Sequence, residues 1–211
     1  MKSKKIYLIR HGQTDFNLKG IVQGGRVDTD LNETGRKQAK AFFDQYKHIP
    51  FKKIYTSALK RTVQSVQHFL DLGIPHECHA GLNEISWGDK DGKIVTSEDT
   101  KYYWTMLEAW GRGELDQCIE GGESPIDVQK RLRKVMDVIA SRSDEDVILI
   151  CMHGRAIRIL LATLLNYELK FMDMYPHTNL GLYILEYSGS NYSLALKNDS
   201  THLDDLNVDK I

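Results

Sequence analysis

Two wholly apolar runs frame the chain. Ile6-Tyr7-Leu8-Ile9 passes directly into Arg10-His11-Gly12, and Val147-Ile148-Leu149-Ile150-Cys151-Met152 passes directly into His153-Gly154-Arg155. Short apolar runs rich in β-branched residues, without polar alternation, predict strands buried on both faces. Between and after them the apolar positions recur at helical spacing. Asn32 is the expected N-cap of a helix whose buried face is Ala39, Phe42, Phe43 and Tyr46. Residues 52–57 predict a second strand. Ser57 is the expected cap of the next helix, with Leu59, Val63, Val66 and Leu70 turned inward and Gly73 as its stop. A third strand is expected over 74–80. Ser124-Pro125 opens a helix that buries Val128, Leu132, Val135, Met136 and Ile139. Another helix is expected around 157–165. Strands near 180–187 and 192–197 form a hairpin through Ser188-Gly189-Ser190-Asn191, and the polar tail from Asp199 is expected to cover an edge or fray.

Alternating strands and helices predict an α/β sandwich with a mainly parallel sheet and antiparallel strands toward the end. Residues 1–211 read as a single domain, without linker, low-complexity segment or repeat beyond the two strand-His-Gly junctions. Residues 85–122 break the pattern, losing clear periodicity while gathering Trp87, Trp104 and Trp110. They read as an insertion, either a lid or a helical piece that completes the core.

Composition narrows the class. Apolar residues at 41% and charged residues at 27% are ordinary for a globular protein, and a net charge of −1 excludes a general nucleic-acid footprint. No apolar stretch approaches the ~20 residues of a membrane span, and the four apolar residues after the basic N-terminus are too few for a signal-peptide core. Cys78, Cys118 and Cys151 lack metal or redox spacing. A reduced, cytoplasmic setting is expected, with no membrane or nucleic-acid partner; oligomeric state is open.

An Arg and a His at the end of a buried strand need partners or a polar pocket. If the strands run parallel, one sheet edge receives Arg10 and His11, then Arg61 from the opening turn of the second helix, and His153; Glu84 follows the third strand. Ligands of open α/β sheets bind at that edge. Two arginines, two histidines and one carboxylate suit a phosphoryl group, which guanidinium pairs with bidentately. Helix N-termini after Gly12, Ser57 and Gly154 offer further backbone donors. His48, His68, His76, His79, His177 and His202 have no comparable context. No HExxH, GxSxG or GxxxxGK[ST] motif occurs, and no metal site is expected.

The segment Arg10-His11-Gly12-Gln13-Thr14-Asp15-Phe16-Asn17, followed by Gln23-Gly24, resembles the signature of the histidine phosphatase superfamily, in its phosphoglycerate mutase-like branch. The resemblance continues in order through 30–39, Ser57-Ala58-Leu59-Lys60-Arg61-Thr62, Leu82-Asn83-Glu84 with Gly88, Gly122-Glu123-Ser124 and His153-Gly154, to about residue 197. It implies a three-layer α/β/α sandwich of phosphoglycerate mutase type. It implies His11 as the nucleophile, Glu84 as general acid and base, and His153, Arg10 and Arg61 as catalytic partners. Arg10, Asn17, Gln23, Gly24, Arg61 and His153 would bind substrate, with no metal or cofactor.

A small phosphorylated metabolite is the implied substrate, and phosphomonoester hydrolysis the implied reaction. Mutase-type transfer is the alternative. The glycolytic mutases of the family are typically longer after the acid and carry an arginine there, where this chain has Ile85; 85–122 holds only Lys90, Lys93, Lys101 and Arg112 as basic residues. A catalytically silent binding protein would be marked by loss of a nucleophile, acid or second histidine, and all three are present.

Overall fold

The computed structural model describes residues 3–206; Met1 and Lys2 of the basic N-terminus and the last five residues of the tail lie outside the described residues. Strand β1 (Lys4–Arg10) is followed by the short helix α1 (Asp15–Lys19) and by α2 (Glu33–Tyr46). Then come β2 (Lys53–Thr56), α3 (Lys60–Leu70), β3 (His76–Cys78), α4 (Ser97–Arg112), α5 (Pro125–Ser141) and β4 (Val147–Met152). The chain closes with α6 (Gly154–Leu164), β5 (Leu182–Tyr187) and β6 (Tyr192–Asp199).

One six-stranded sheet has the order β3-β2-β4-β1-β5-β6. The first four strands in that order are parallel, and β5 and β6 are antiparallel. Both apolar runs are buried on both faces. Ile6, Leu8, Ile148 and Ile150 join one core with α5, α6 and Trp110, while Tyr7, Ile9, Leu149 and Cys151 join another with Phe42 of α2 and Phe69 of α3. Side chains alternate across a strand, so an uninterrupted apolar run serves two helical layers at once. This is the three-layer α/β/α sandwich, mainly parallel, that the sequence implies.

Local signals set the helix starts. Asn32 accepts the Gly35 N–H at 2.8 Å, and Ser124 forms a capping box with Asp127 ahead of Pro125. Ser57 departs from expectation: α3 starts at Lys60 with Leu59 as N-cap, and its buried positions include Arg61, Thr62, Ser65 and Phe69, whereas Val63 and Leu70 are only half-buried. The buried face is rotated from the expected one and includes Arg61. The third strand shrinks to three residues at the sheet edge. Within 85–122, α4 carries its own Thr96–Asp99 capping box and buries Met106, Ala109 and Trp110 in the main core, leaving Tyr102 and Trp104 half exposed. One face of that segment therefore completes the core. The tail covers α2, with Leu203 buried and the His202 ring 5.3 Å from Phe42. Among the described residues no helix is long and apolar enough to cross a membrane.

Candidate active site

β1 and β4 are parallel neighbours, with Arg10 opposite Met152. The two strand-His-Gly junctions therefore emerge side by side, and the His11 and His153 rings lie 5.2 Å apart. Both are almost fully buried.

The His11 Nδ1 lies 2.7 Å from the Gly12 carbonyl. A carbonyl only accepts, so Nδ1 carries the proton and Nε2 the lone pair. The His11 carbonyl accepts from Asn179 at 2.8 Å, and the Gly12 N–H donates to Ser65 at 2.9 Å. The backbone is thus held from α3 and from the loop before β5. Close approach is also needed: a Cβ on Gly12 would sit 2.7 Å from the Gly35 carbonyl, so the loop rests directly on the first turn of α2.

His153 Nε2 lies 2.7 Å from the Ser57 hydroxyl, whose oxygen accepts the Leu59 N–H at 3.1 Å. His153 Nδ1 and Arg61 Nε are buried with no hydrogen-bond partner among the described residues. Arg61, fully buried, is aimed by the carbonyls of Val27 (2.6 Å) and Gly24 (3.4 Å). Arg10 donates to the His177 carbonyl at 2.9 Å. Burial draws both guanidinium pKa values down to about 10, with Glu84 the first group to oppose it, so both stay charged at neutral pH. Burial, then the Arg61 and Arg10 cations, holds the His11 pKa well below the ordinary imidazole range. His153 is held down by burial, Arg61, His11 and Arg10. The result is a pair of neutral imidazoles in a positive field.

Glu84 occupies the N-terminus of α6. Its Oε1 accepts the N–H groups of Ile85 and Ala156, each at 2.9 Å, and its Oε2 accepts that of Arg155 at 3.0 Å. Three of roughly four lone-pair sites of the carboxylate are engaged, leaving room for one proton. Its main chain is clamped from α5 by Arg131, which donates to the carbonyls of Gly81 (2.9 Å), Asn83 (2.7 Å) and Glu84 (3.1 Å) while paired bidentately with Glu123.

The remaining sequence candidates are placed at the margin. Asn17 closes the capping box of α1, with its Oδ1 accepting the Thr14 N–H at 3.2 Å. Gln23 Oε1 accepts from the hydroxyls of Thr14 (2.6 Å) and Thr29 (2.9 Å), and Gly24 contributes its carbonyl to Arg61. Several of the expected backbone donors are otherwise engaged: Gly12 N–H by Ser65, Leu59 N–H by Ser57, and the Arg155 and Ala156 N–H groups of α6 by Glu84. The formal positive charge at the site comes from the Arg10 and Arg61 side chains.

Several residues whose side chains the sequence gives no part in the site belong here. His177, read as an ordinary core or surface histidine, packs its ring under Gly154 and beside Arg10, and its pKa falls to about 2 through burial and then Arg10. Ser57, Arg131 and Asn179 act through hydrogen bonds that form only across the folded chain. Arg155, the residue after the second His-Gly, bonds Tyr103 at 2.9 Å, pairs with Asp173 and lies over Trp110, so it ties α4 to the start of α6.

Comparison with known proteins gives the following. The family description "Histidine phosphatase superfamily (branch 1)" matches residues 6–200. A 2,3-bisphosphoglycerate-dependent phosphoglycerate mutase of Brucella ovis is 32% identical over 77% of this chain and 82% of its own. Human 6-phosphofructo-2-kinase/fructose-2,6-bisphosphatase 1 is 31% identical over 92% of this chain, which spans 40% of that protein's length. Among solved structures, a mycobacterial glucosyl-3-phosphoglycerate phosphatase in complex with VO3 superposes with a TM-score of 0.78, at 27% identity, over 92% of this chain and 98% of that one.

Proposed function

The chain belongs to the histidine phosphatase superfamily, branch 1, and we propose that within it the protein hydrolyses phosphomonoesters of a small cytoplasmic metabolite through a phosphohistidine on His11. The observation that carries this reading is the commitment of His11 Nδ1–H to the Gly12 carbonyl, which leaves a neutral Nε2 lone pair beside two buried arginines. In the first step Nε2 attacks phosphorus, the P–O ester bond breaks and Glu84 gives its proton to the departing alkoxide. The Gly12 carbonyl offsets the positive charge that grows on the ring. In the second step Glu84 takes a proton from water, the oxygen attacks phosphorus, the P–N bond breaks and His11 returns neutral.

Arg10, Arg61 and His153, whose neutral ring carries its proton on the unpartnered Nδ1 when the Ser57 hydroxyl donates to Nε2, supply the stabilisation of equatorial oxygens that metal ions give in other phosphoryl transferases. Among the described residues no group of three His, Cys, Asp or Glu side chains is placed to hold a metal ion. The vanadate complex of the mycobacterial neighbour, a phosphate-like anion on a shared fold, supports the same reading.

Mutase-type transfer is the second reading, favoured by the Brucella relative. Against it, Ile85 next to the acid is fully buried in the core, and Lys90 and Arg112 are paired with Asp99 and Glu114. The test is hydrolysis of phenyl phosphate with acid quenching. Wild type should form an acid-labile phosphoenzyme and turn over in EDTA; His11→Ala should do neither. Substantial turnover by the variant, or loss of activity in EDTA, refutes the mechanism. Efficient interconversion of 2- and 3-phosphoglycerate with a bisphosphate primer would favour the mutase.

A further inference from the structure

A cavity of about 410 Å³ has a wall that is largely aromatic and aliphatic, with Val22, Trp87, Val95, Tyr102, Tyr103 and Trp104, and Gln23 also lines it. Three connections tie it to the catalytic groups. Gln23 receives the hydroxyl of Thr14, three residues after His11, and precedes Gly24, whose carbonyl holds Arg61. Trp87 follows Glu84 by three residues, and the Gly25 N–H donates to the Ile85 carbonyl at 3.0 Å, joining the two walls. Tyr103 bonds Arg155, whose own N–H holds Glu84. The aromatic wall is built rather than incidental. Trp110 in the core stacks on Trp87 at 6.0 Å, Trp87 meets Tyr103 edge-on at 5.4 Å, and Tyr103 meets Trp104 at 6.2 Å.

Several polar groups on this wall are already engaged. Gln23 Oε1 has two hydroxyl donors, the Tyr103 hydroxyl accepts from Arg155, and Lys90 is neutralised by Asp99, which also closes the α4 capping box. A second phosphate, a carboxylate or a polyol would lose its water here and gain few partners. An apolar group gains by burial, and the volume is that of an ordinary small-molecule site.

We infer that the alcohol portion of the substrate is bulky and apolar, an aryl or medium-chain alkyl group that fills this cavity while its phosphate meets Arg10 and Arg61. The inference rests on the phosphatase reading for where the phosphate sits, and its test is made on binding so that it stands apart from turnover. The probes are ethylphosphonate, hexylphosphonate, phenethylphosphonate and 3-phosphonopropionate, the last ending in a carboxylate, titrated calorimetrically into the full chain. Each buried methylene is worth roughly fourfold in affinity, so partial burial of the added four should tighten hexyl over ethyl by at least about tenfold. Phenethylphosphonate should behave like hexyl, and the carboxylate should bind no better than ethyl. Trp104→Ala and Val95→Asp, both at exposed positions of the rim, should pull the hexyl-to-ethyl ratio toward one.

Equal dissociation constants across the series, or tighter binding of the carboxylate, would overturn the inference. So would a dimer in sedimentation that shows no length dependence, which would assign the cavity to a second copy of the chain. Failure of the phosphatase reading has a different signature: no phosphate released from ethyl or hexyl phosphate and no phosphohistidine, whatever the ranking of the phosphonates.

Discussion

Replacing Glu84 by Gln separates the structural from the chemical duty of that carboxylate. The side chain keeps its length, but only one of its two terminal atoms remains an acceptor. With the amide oxygen on Ile85 and Ala156, the amide NH2 faces the Arg155 N–H, donor against donor, where the carboxylate now accepts at 3.0 Å. The flipped amide loses two bonds instead of one. One buried unpaired donor costs about 1–3 kcal/mol, and a lost negative charge at a helix N-terminus roughly 0.3–2 kcal/mol. A loss of about 2–4 kcal/mol follows, which for a chain of this size lowers Tm by about 5–15 °C. The chemical effect depends on the leaving group. A general acid is worth about 10²–10⁴ in rate for an alkoxide that must be protonated, and little for p-nitrophenolate, which leaves unassisted. In stopped flow at a temperature where the variant is folded, p-nitrophenyl phosphate should give a stoichiometric burst of nitrophenol. Slow turnover follows, because the same residue activates water in the second step. Ethyl phosphate should give neither burst nor appreciable turnover. A variant that hydrolyses ethyl phosphate within tenfold of wild type, or loses both substrates equally, would refute Glu84 as proton donor.

Other consequences are as direct. Ser57→Ala removes the 2.7 Å bond to His153 and strands the Leu59 N–H, so kcat/KM for phenyl phosphate should fall by about 5–100-fold, the equivalent of roughly 1–3 kcal/mol; a change under twofold would show that the bond positions nothing. Gly35→Ala places a Cβ 2.1 Å from the Gln13 carbonyl, and forcing α2 away from the loop after β1 should cost at least about 1–3 kcal/mol, read as a lower urea midpoint. Stability should also depend on pH in one direction. His11, His153 and His177 are all held below the ordinary imidazole pKa, so the unfolded chain binds protons that the native chain does not. Stability is therefore full above about pH 6.5 and falls beneath it, by up to about 1.4 kcal/mol per pH unit for each histidine. Identical urea midpoints at pH 7.5 and 5.0 would contradict this.

Much of the site is legible along the chain because its residues stand at junctions that the pattern itself marks. His11 and His153 each end an apolar run and precede a glycine, and Arg61 stands in the first turn after a strand. Their neighbours are not marked. Nothing at Arg131 distinguishes it from other charged positions of an amphipathic helix, yet it holds three carbonyls that fix Glu84. His177 and Asn179 sit in a polar turn more than 160 residues from Arg10 and His11, and reach them only because β5 runs antiparallel beside β1. The helix within 85–122 is obscured for another reason: its buried positions are few, since only one narrow face meets the core, and its exposed face carries the aromatics that wall the cavity.

By itself the sequence pattern indicated the layers, the parallel centre of the sheet and the junctions that carry Arg10, His11, Arg61 and His153, while the roles proposed for His11 and Glu84 came from the resemblance to a family. Local chemistry suffices for the layers and the junctions, because burial on two faces, helix spacing and a cation at a strand end each leave a one-dimensional trace. Only the tertiary structure decided the tautomer of His11, the seat of Glu84 on the N-terminus of α6, the engagement of the backbone donors and the apolar character of the neighbouring cavity. Those depend on which groups meet across the fold. A hydrogen bond or a cavity wall is a property of the pair that forms it, and neither partner shows it alone.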